Sequence, residues 1–280
     1  MSRTMIALDR RATAAGDAAR KNHAMRMYRV TVSRRAQLTP GMVRLTFSGP
    51  DLDFFMPAGP DQRVKLLLPH PGQTRPLAPY DMTPRELRAL PEPLRPIMRT
   101  YTVRYFRPGV PELDIDFALH EPAGPAGRWA AEVRSGGHAA LYGPACAYEP
   151  PAGCGWQLLA GDETALPAIG AIVEALPAGV RAEVFAEVDD AGERQSWHSA
   201  ADVRVHWLYR GGAPAGSGSA LLDAVAAADL SDEPHRYAWL AAERYTAAQL
   251  RRHLVERRGF PRSAIYFSGY WRLGKAENEV

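Results

Sequence analysis

Two short stretches of this 280-residue chain carry side chains whose types and spacing suit an anionic, ring-bearing ligand. The first is RTYTVR, Arg99 to Arg104. In a strand, Arg99, Tyr101 and Val103 share one face, and Thr102 and Arg104 take the other. Such a strand offers a guanidinium for two-pronged phosphate binding and a phenol to lie beside a flat ring. An exposed strand with solvated arginines accounts for the same residues. The second stretch is LHEPAGPAGRW. It leaves a strand at His120, passes the small residues Gly124, Pro125 and Ala126, and enters a helical run at Arg128 and Trp129. Bare N–H groups at the positive end of a helix dipole make a place for a pyrophosphate, although a plain helix entrance reads the same.

Other chemistries are excluded residue by residue. His120-Glu121 is followed by Pro122, so no H-E-x-x-H exists, and no G-x-S-x-G nucleophile elbow occurs. Cys146 and Cys154 are the only cysteines, too few for a disulfide framework or a four-thiolate cluster within one chain, and a reducing cytoplasm is the expected compartment. Gly269 to Lys275 matches G-x-x-x-x-G-K, but Ala276 follows where magnesium needs Ser or Thr, so it is not a P-loop. Gly161-Asp162-Glu163-Thr164 stands where a G-x-G-x-x-G turn belongs, so any dinucleotide is held differently. Net charge is +3; residues 1–30, with seven basic and two acidic side chains, carry a surplus of +5 and the rest is about neutral, which argues against a nucleic-acid surface on the folded part. No run of eighteen apolar residues occurs, so no membrane span is expected.

Positioning these groups requires a scaffold, and 46% hydrophobic with 23% charged residues is the balance of a globular chain with a sizeable core. From Tyr28 the chain reads as two β-rich runs joined at Thr39-Pro40-Gly41, with further strands at 63–68, 100–106, 113–119 and 138–142. Leu113, Ile115 and Phe117 alternate with Asp114 and Asp116, which predicts an antiparallel strand with one wet face. Residues 69–96 are proline-rich and read as a surface excursion with one short helix at 83–90. After Pro150-Pro151-Ala152-Gly153 strands alternate with helices, the grammar of a parallel sheet covered on both faces. The expected organisation is a two-domain α+β protein: a flexible arm at 1–24 without a secretory h-region, an antiparallel β-barrel at 25–152, and a doubly wound α/β domain with a parallel sheet at 153–280. Its obvious cleft lies between the domains, above the carboxyl ends of the parallel strands.

RTYTVR, LHEPAGPAGRW, LYGP, LLAGDETALPAI and GYWRLGK, in this order and spacing, resemble the siderophore-interacting proteins, flavin-containing ferric-siderophore reductases of the ferredoxin-reductase superfamily. The resemblance implies an FAD-binding barrel followed by a nicotinamide-nucleotide domain. It places Arg99, Tyr101, Thr102 and Val103 on the flavin-holding strand, with Thr102 near the redox-active edge. It wraps His120, Gly124, Pro125, Ala126, Arg128 and Trp129 around the FAD phosphates, and sets Asp162, Thr164 and Ala165 where the second domain approaches flavin and nicotinamide. Thr164 reads equally as an N-terminal residue of its helix and nothing more.

The implied reaction takes electrons from NAD(P)H, or from reduced ferredoxin, through FAD to the iron of a ferric siderophore, releasing Fe(II) in the cytoplasm from a monomer. A flavin reconciles a two-electron hydride donor with a one-electron acceptor, so no general base is required. Ferric siderophores are often anionic, and Lys65 and Lys275, two of only three lysines, together with Arg272 are the expected siderophore-facing cations. Ala145-Cys146-Ala147 after LYGP departs from the pattern of many relatives and puts any basic contact from that loop in doubt. Asp189 and Asp190 at a strand end favour the 2′-hydroxyl of NADH, while Arg210 on the next strand argues for NADPH. A general flavin reductase and a non-catalytic siderophore binder are the competing functions.

Overall fold

The computed structural model describes residues 25–77, 79 and 81–275; the expected arm at 1–24 lies outside them. Seven strands form an antiparallel sheet: β1 (Arg26–Thr39), β2 (Met42–Ser48), β3 (Arg63–Leu68), β4 (Ile97–Thr102), β5 (Tyr105–Arg107), β6 (Glu112–Ala118) and β7 (His138–Ala145). Their order is β4-β3-β7-β1-β2-β6-β5. Beyond β4, Val103 N–H donates to the Gln62 carbonyl at 2.9 Å and Arg104 N–H to the Asp114 carbonyl at 2.8 Å, which curls that edge toward β6. Alternation decides what goes inside: Val43, Leu45 and Phe47 of β2 pair with Phe117, Ile115 and Leu113 of β6, and all six are buried in one core.

The wet face expected on β6 is absent. Asp114 and Asp116 are each 3% exposed. Arg44 grips Asp116 at 2.6 and 2.7 Å, and Arg107 grips Asp114 at 2.7 and 2.8 Å. Two-pronged pairing removes the carboxylates from water without orphaning them, something an alternation count cannot register.

Helix α1 (Pro84–Ala89) starts at a Thr83–Glu86 capping box and drops Leu87 onto Met27, Leu67, Met98 and Ala140, so the proline-rich excursion covers the outer side of β3 and β4. Helix α2 (Pro125–Glu132) packs beside β2, β4 and β6.

Five parallel strands form the second sheet: β8 (Trp156–Gly161), β9 (Arg181–Val188), β10 (Asp202–Tyr209), β11 (Tyr237–Glu243) and β12 (Ile265–Trp271), in the order β10-β9-β8-β11-β12. The order reverses between β8 and β11, which is where a crevice opens above the carboxyl ends. Helices α4 (Ala220–Ala227) and α5 (Arg244–Arg258) cover one face. Only α3 (Leu166–Ala175) covers the other, where Met42 of the barrel joins the same core. Helices thus cover both faces less evenly than the sequence pattern implies, and the barrel completes the second face.

Polar anchors fix this seam. Arg104 donates through Nη1 and Nη2 to Glu174 at 2.7 Å each, and the Tyr105 hydroxyl adds a bond to Glu174 at 3.1 Å. Asp61, buried in the barrel, accepts from Trp239 Nε1 at 3.1 Å, from Cys146 Sγ at 2.8 Å and from Ala147 N–H at 2.9 Å. Burial and the bond to Asp61 push the Cys146 thiol up to about 12, so it stays protonated. Glu193 reaches the β1–β2 turn, accepting from Thr39 Oγ1 at 2.5 Å and Gly41 N–H at 2.7 Å.

Candidate functional site

On β4, Arg99 and Tyr101 pair with Leu66 and Val64 of β3, whereas Thr100 and Thr102 pair with Lys65 and Arg63. Opposed residues in an antiparallel pair share a face, so β4 shows a ring-and-guanidinium face and a hydroxyl-and-cation face. Tyr101 lies 4.3 Å from Phe117, centroid to centroid. Arg99 donates Nη1 to the Met98 carbonyl at 2.8 Å and has no carboxylate partner among the described residues. That sets it apart from Arg44, Arg104, Arg107 and Arg210, each of which grips a carboxylate with two nitrogens.

The start of α2 is open. Gly124 is its N-cap and supplies no side-chain cap, and a Cβ built on Gly124 or Gly127 would meet nothing within 4 Å. Uncapped N–H groups at a helix start, beside a strand whose Arg99 has no carboxylate partner among the described residues, are the donor set a diphosphate requires, so these residues fit FAD. Arg128 is exposed and donates to the Ala123 carbonyl at 2.7 Å, and His120 is exposed beside it. The remaining named side chains on this stretch and on β4 face inward. Ala126 and Val103 belong to the barrel core, Val103 having its N–H on Gln62, and the Trp129 ring stacks on Phe47 at 6.4 Å. They shape the site without offering it a polar group.

Thr102 is buried, and its hydroxyl is near enough to Tyr270 of β12 to lower that phenol, so the hydroxyl face of β4 meets the second domain. Burial first, and then the charges of Tyr266 and Asp61, push the Tyr270 phenol well above its ordinary value, which keeps it neutral.

Asp162 ties together the crevice at the strand order's reversal. One oxygen accepts from Thr164 N–H at 3.0 Å and Thr164 Oγ1 at 2.5 Å; the other accepts from Glu243 N–H at 2.9 Å and Trp271 Nε1 at 2.8 Å. Burial, with the adjacent Glu163 charge, pushes its carboxyl up to about 6, against the pull of the Thr164 and Trp271 bonds. Thr164 precedes the helix rather than opening it: Ala165, fully buried, is the N-cap and α3 begins at Leu166. Gly161 permits this closeness, since a Cβ there would lie 2.4 Å from the Ala241 carbonyl. A polar hollow lined by Trp156, Arg181 and Asp202 sits at the opposite ends of these strands, away from every group named above.

Lys65 donates Nζ to Thr100 Oγ1 at 2.5 Å on the cation face of β4. Arg272 and Lys275 are exposed in the turn that follows β12, where Lys275 N–H donates to the Arg272 carbonyl at 3.1 Å. Tyr270, which adjoins Thr102, lies two residues before Arg272, and Thr102 lies two residues after Thr100, the partner of Lys65. The sequence reading missed Arg63. It faces Thr102 across the ladder, is half-buried, has no ion pair among the described residues, and lowers the Tyr270 phenol electrostatically. Its signal was its place two residues before Lys65, on the same face of DQRVKLLLP.

A family model described as the siderophore-interacting FAD-binding domain matches residues 31–148, and one described as siderophore-interacting protein matches 154–274. An uncharacterized protein of Mycobacterium tuberculosis is 35% identical over 250 residues, 86% of this chain and 88% of that one. The ferric vibriobactin reductase of Vibrio cholerae is 29% identical over 87% of this chain and 89% of its own. Among solved structures, a siderophore utilization protein from T. fusca superposes with a TM-score of 0.81 at 30% identity, covering 92% of this chain and 97% of that one. The siderophore-interacting protein SipS from Aeromonas hydrophila gives 0.76 at 31%, covering 90% and 94%. At 17% identity and a TM-score of 0.63, a ferredoxin reductase of carbazole 1,9a-dioxygenase shares the fold.

Proposed function

The chain belongs to the siderophore-interacting protein family, FAD-binding oxidoreductases on the ferredoxin-reductase fold, and from that premise we propose that it passes electrons from a reduced nicotinamide dinucleotide to the iron of a ferric siderophore. The observation that carries the reading is the two-faced β4: an arginine without a carboxylate on one face, and on the other a buried Thr102 held against the second domain.

Bound FAD supplies the conversion between a two-electron hydride donor and a one-electron ferric acceptor. The chain's own residues do the rest. Arg99 and the uncapped N–H groups of α2 would hold the diphosphate of FAD, Tyr101 would lie against its ring system, and the Thr102 hydroxyl would face its edge. Asp162, Thr164 and Trp271 shape the donor's approach, and the seam keeps water from the meeting point. Lys65, Arg63, Arg272 and Lys275 draw an anionic chelate to the Thr102 side. No side chain has to move a proton. Once reduced, the iron leaves, because hard oxygen donors grip the divalent ion far less than the trivalent one.

Purified protein loaded with FAD and kept anaerobic should bleach with NADH or NADPH, and ferric siderophore should restore the colour as a chelator captures Fe(II). Bleaching that only a reduced ferredoxin produces, or equal rates with every ferric chelate, would favour a general flavin reductase instead. A ferric siderophore bound but never reduced would leave only a binding protein.

A further inference from the structure

Arg210 is the basic residue that favoured NADPH in the sequence, and the structure shows it already engaged. Its Nη2 and Nη1 donate to Glu163 at 2.7 and 2.8 Å, and Nη1 lies 3.7 Å from Glu187. The Arg210 side chain is 10% exposed and Glu187 8%, so the group lies largely beneath the surface. Glu163 follows β8, Glu187 is on β9 and Arg210 follows β10, which places this ion triad across three neighbouring carboxyl ends beside the point where the strand order reverses.

In a sheet of this type a dinucleotide crosses those ends, and its adenosine ribose reaches the strand next to the central one, here β9. A carboxylate there receives a 2′-hydroxyl; a 2′-phosphate needs a free arginine. β9 runs on into Asp189 and Asp190, each with one oxygen on a backbone N–H, of Gly212 at 2.8 Å and of Gly192 at 2.7 Å. Three carboxylates, Glu163, Glu187 and Asp189, therefore act on one guanidinium that two of them already hold. Arg194, which lies over the Tyr209 ring, belongs to the other face of the sheet, because Tyr209 and Arg210 are consecutive on one strand end and point oppositely.

We propose that Glu163, by holding Arg210 against Glu187, sets the donor specificity: the chain accepts the dinucleotide with a free 2′-hydroxyl, NADH, and rejects the 2′-phosphorylated one, NADPH. Glu163 is a positioning residue that acts through Arg210. The inference rests on the nicotinamide donor proposed above.

The test pairs binding with turnover. Isothermal titration of the FAD-loaded protein with 5′-AMP and with 2′,5′-ADP reads the adenosine end alone, and flavin bleaching by NADH and NADPH reads the whole donor. Wild type should bind 5′-AMP at least tenfold more tightly than 2′,5′-ADP and bleach with NADH at least tenfold more efficiently, the order of one charge-assisted contact. Glu163→Gln, alone and with Glu187→Gln, should bring both ratios toward unity or past it, and adding Arg210→Met should abolish the gain for the phosphorylated ligands. Equal or inverted wild-type ratios would overturn the inference, as would ratios that Glu163→Gln leaves unmoved. If dithionite bleaches the flavin while neither dinucleotide does, the donor reading itself fails and takes this inference with it.

Discussion

Replacing Glu174 by Gln tests whether the two domains are held by the pair seen at the seam. The Arg104 side chain is 3% exposed and Glu174 23%, with both nitrogen–oxygen distances at 2.7 Å. Arg104 Nε is already a buried donor without a partner. Neutralising the carboxylate leaves a buried guanidinium charge uncompensated, and breaking a buried pair from one side costs about 3–5 kcal/mol. Glu174 keeps some water contact and Gln keeps one acceptor, so the lower end, about 3 kcal/mol, is expected. Urea unfolding, followed by tryptophan fluorescence and by circular dichroism, reads this as a lower midpoint with an unchanged slope. A partner variant sharpens the reasoning: Arg104→Met with Glu174→Leu, which removes both charges, should recover most of the loss. A loss below about 1 kcal/mol for Glu174→Gln would put the pair in the class of exposed salt bridges and refute the argument.

Asp162→Asn should change the pH dependence of stability. The folded carboxyl at about 6 holds a proton that the unfolded chain releases near 3.8, so this contribution is complete below 3.8 and is lost as pH rises through 6. The stability of wild type relative to Asp162→Asn should therefore fall by about 2 kcal/mol from pH 4 to pH 7, and parallel urea-derived curves would contradict it. Arg99→Ala should weaken FAD binding by about tenfold or more, measured by flavin fluorescence quenching, whereas the exposed Arg128→Ala should cost less; equal effects would remove the special role of β4. Joint replacement of Lys65, Arg272 and Lys275 by Ala should raise KM for an anionic ferric chelate several-fold at low salt and spare ferricyanide; equal loss on both acceptors would dismiss the substrate assignment.

Most of the architecture was legible because it rests on periodicity. The residues of β2, β6 and the helix–strand alternation after Gly153 follow the two hydrophobic repeats, and the short helix expected at 83–90 forms as α1. Partnership was not legible. Asp114 and Asp116 looked wet because alternation carries no information about Arg44 and Arg107 folding over them. Arg104 looked like one more strand arginine, and only the tertiary structure brings Glu174, seventy positions away, against it. The residues named from the resemblance divide by burial and face. Arg99 and Thr102 occupy opposite faces of β4, while Val103, Ala126 and Ala165 are packed into cores.

The whole account turns on electrons reaching iron one at a time from a carrier seated on β4. The decisive measurement is anaerobic: reduce the FAD-loaded protein with one equivalent of dithionite, add excess ferric siderophore and an Fe(II) chelator, and count the iron captured as the yellow colour returns. Two Fe(II) for each flavin reoxidised is the predicted result. Colour that stays bleached in the presence of the ferric siderophore, or returns with no Fe(II) captured, would contradict it.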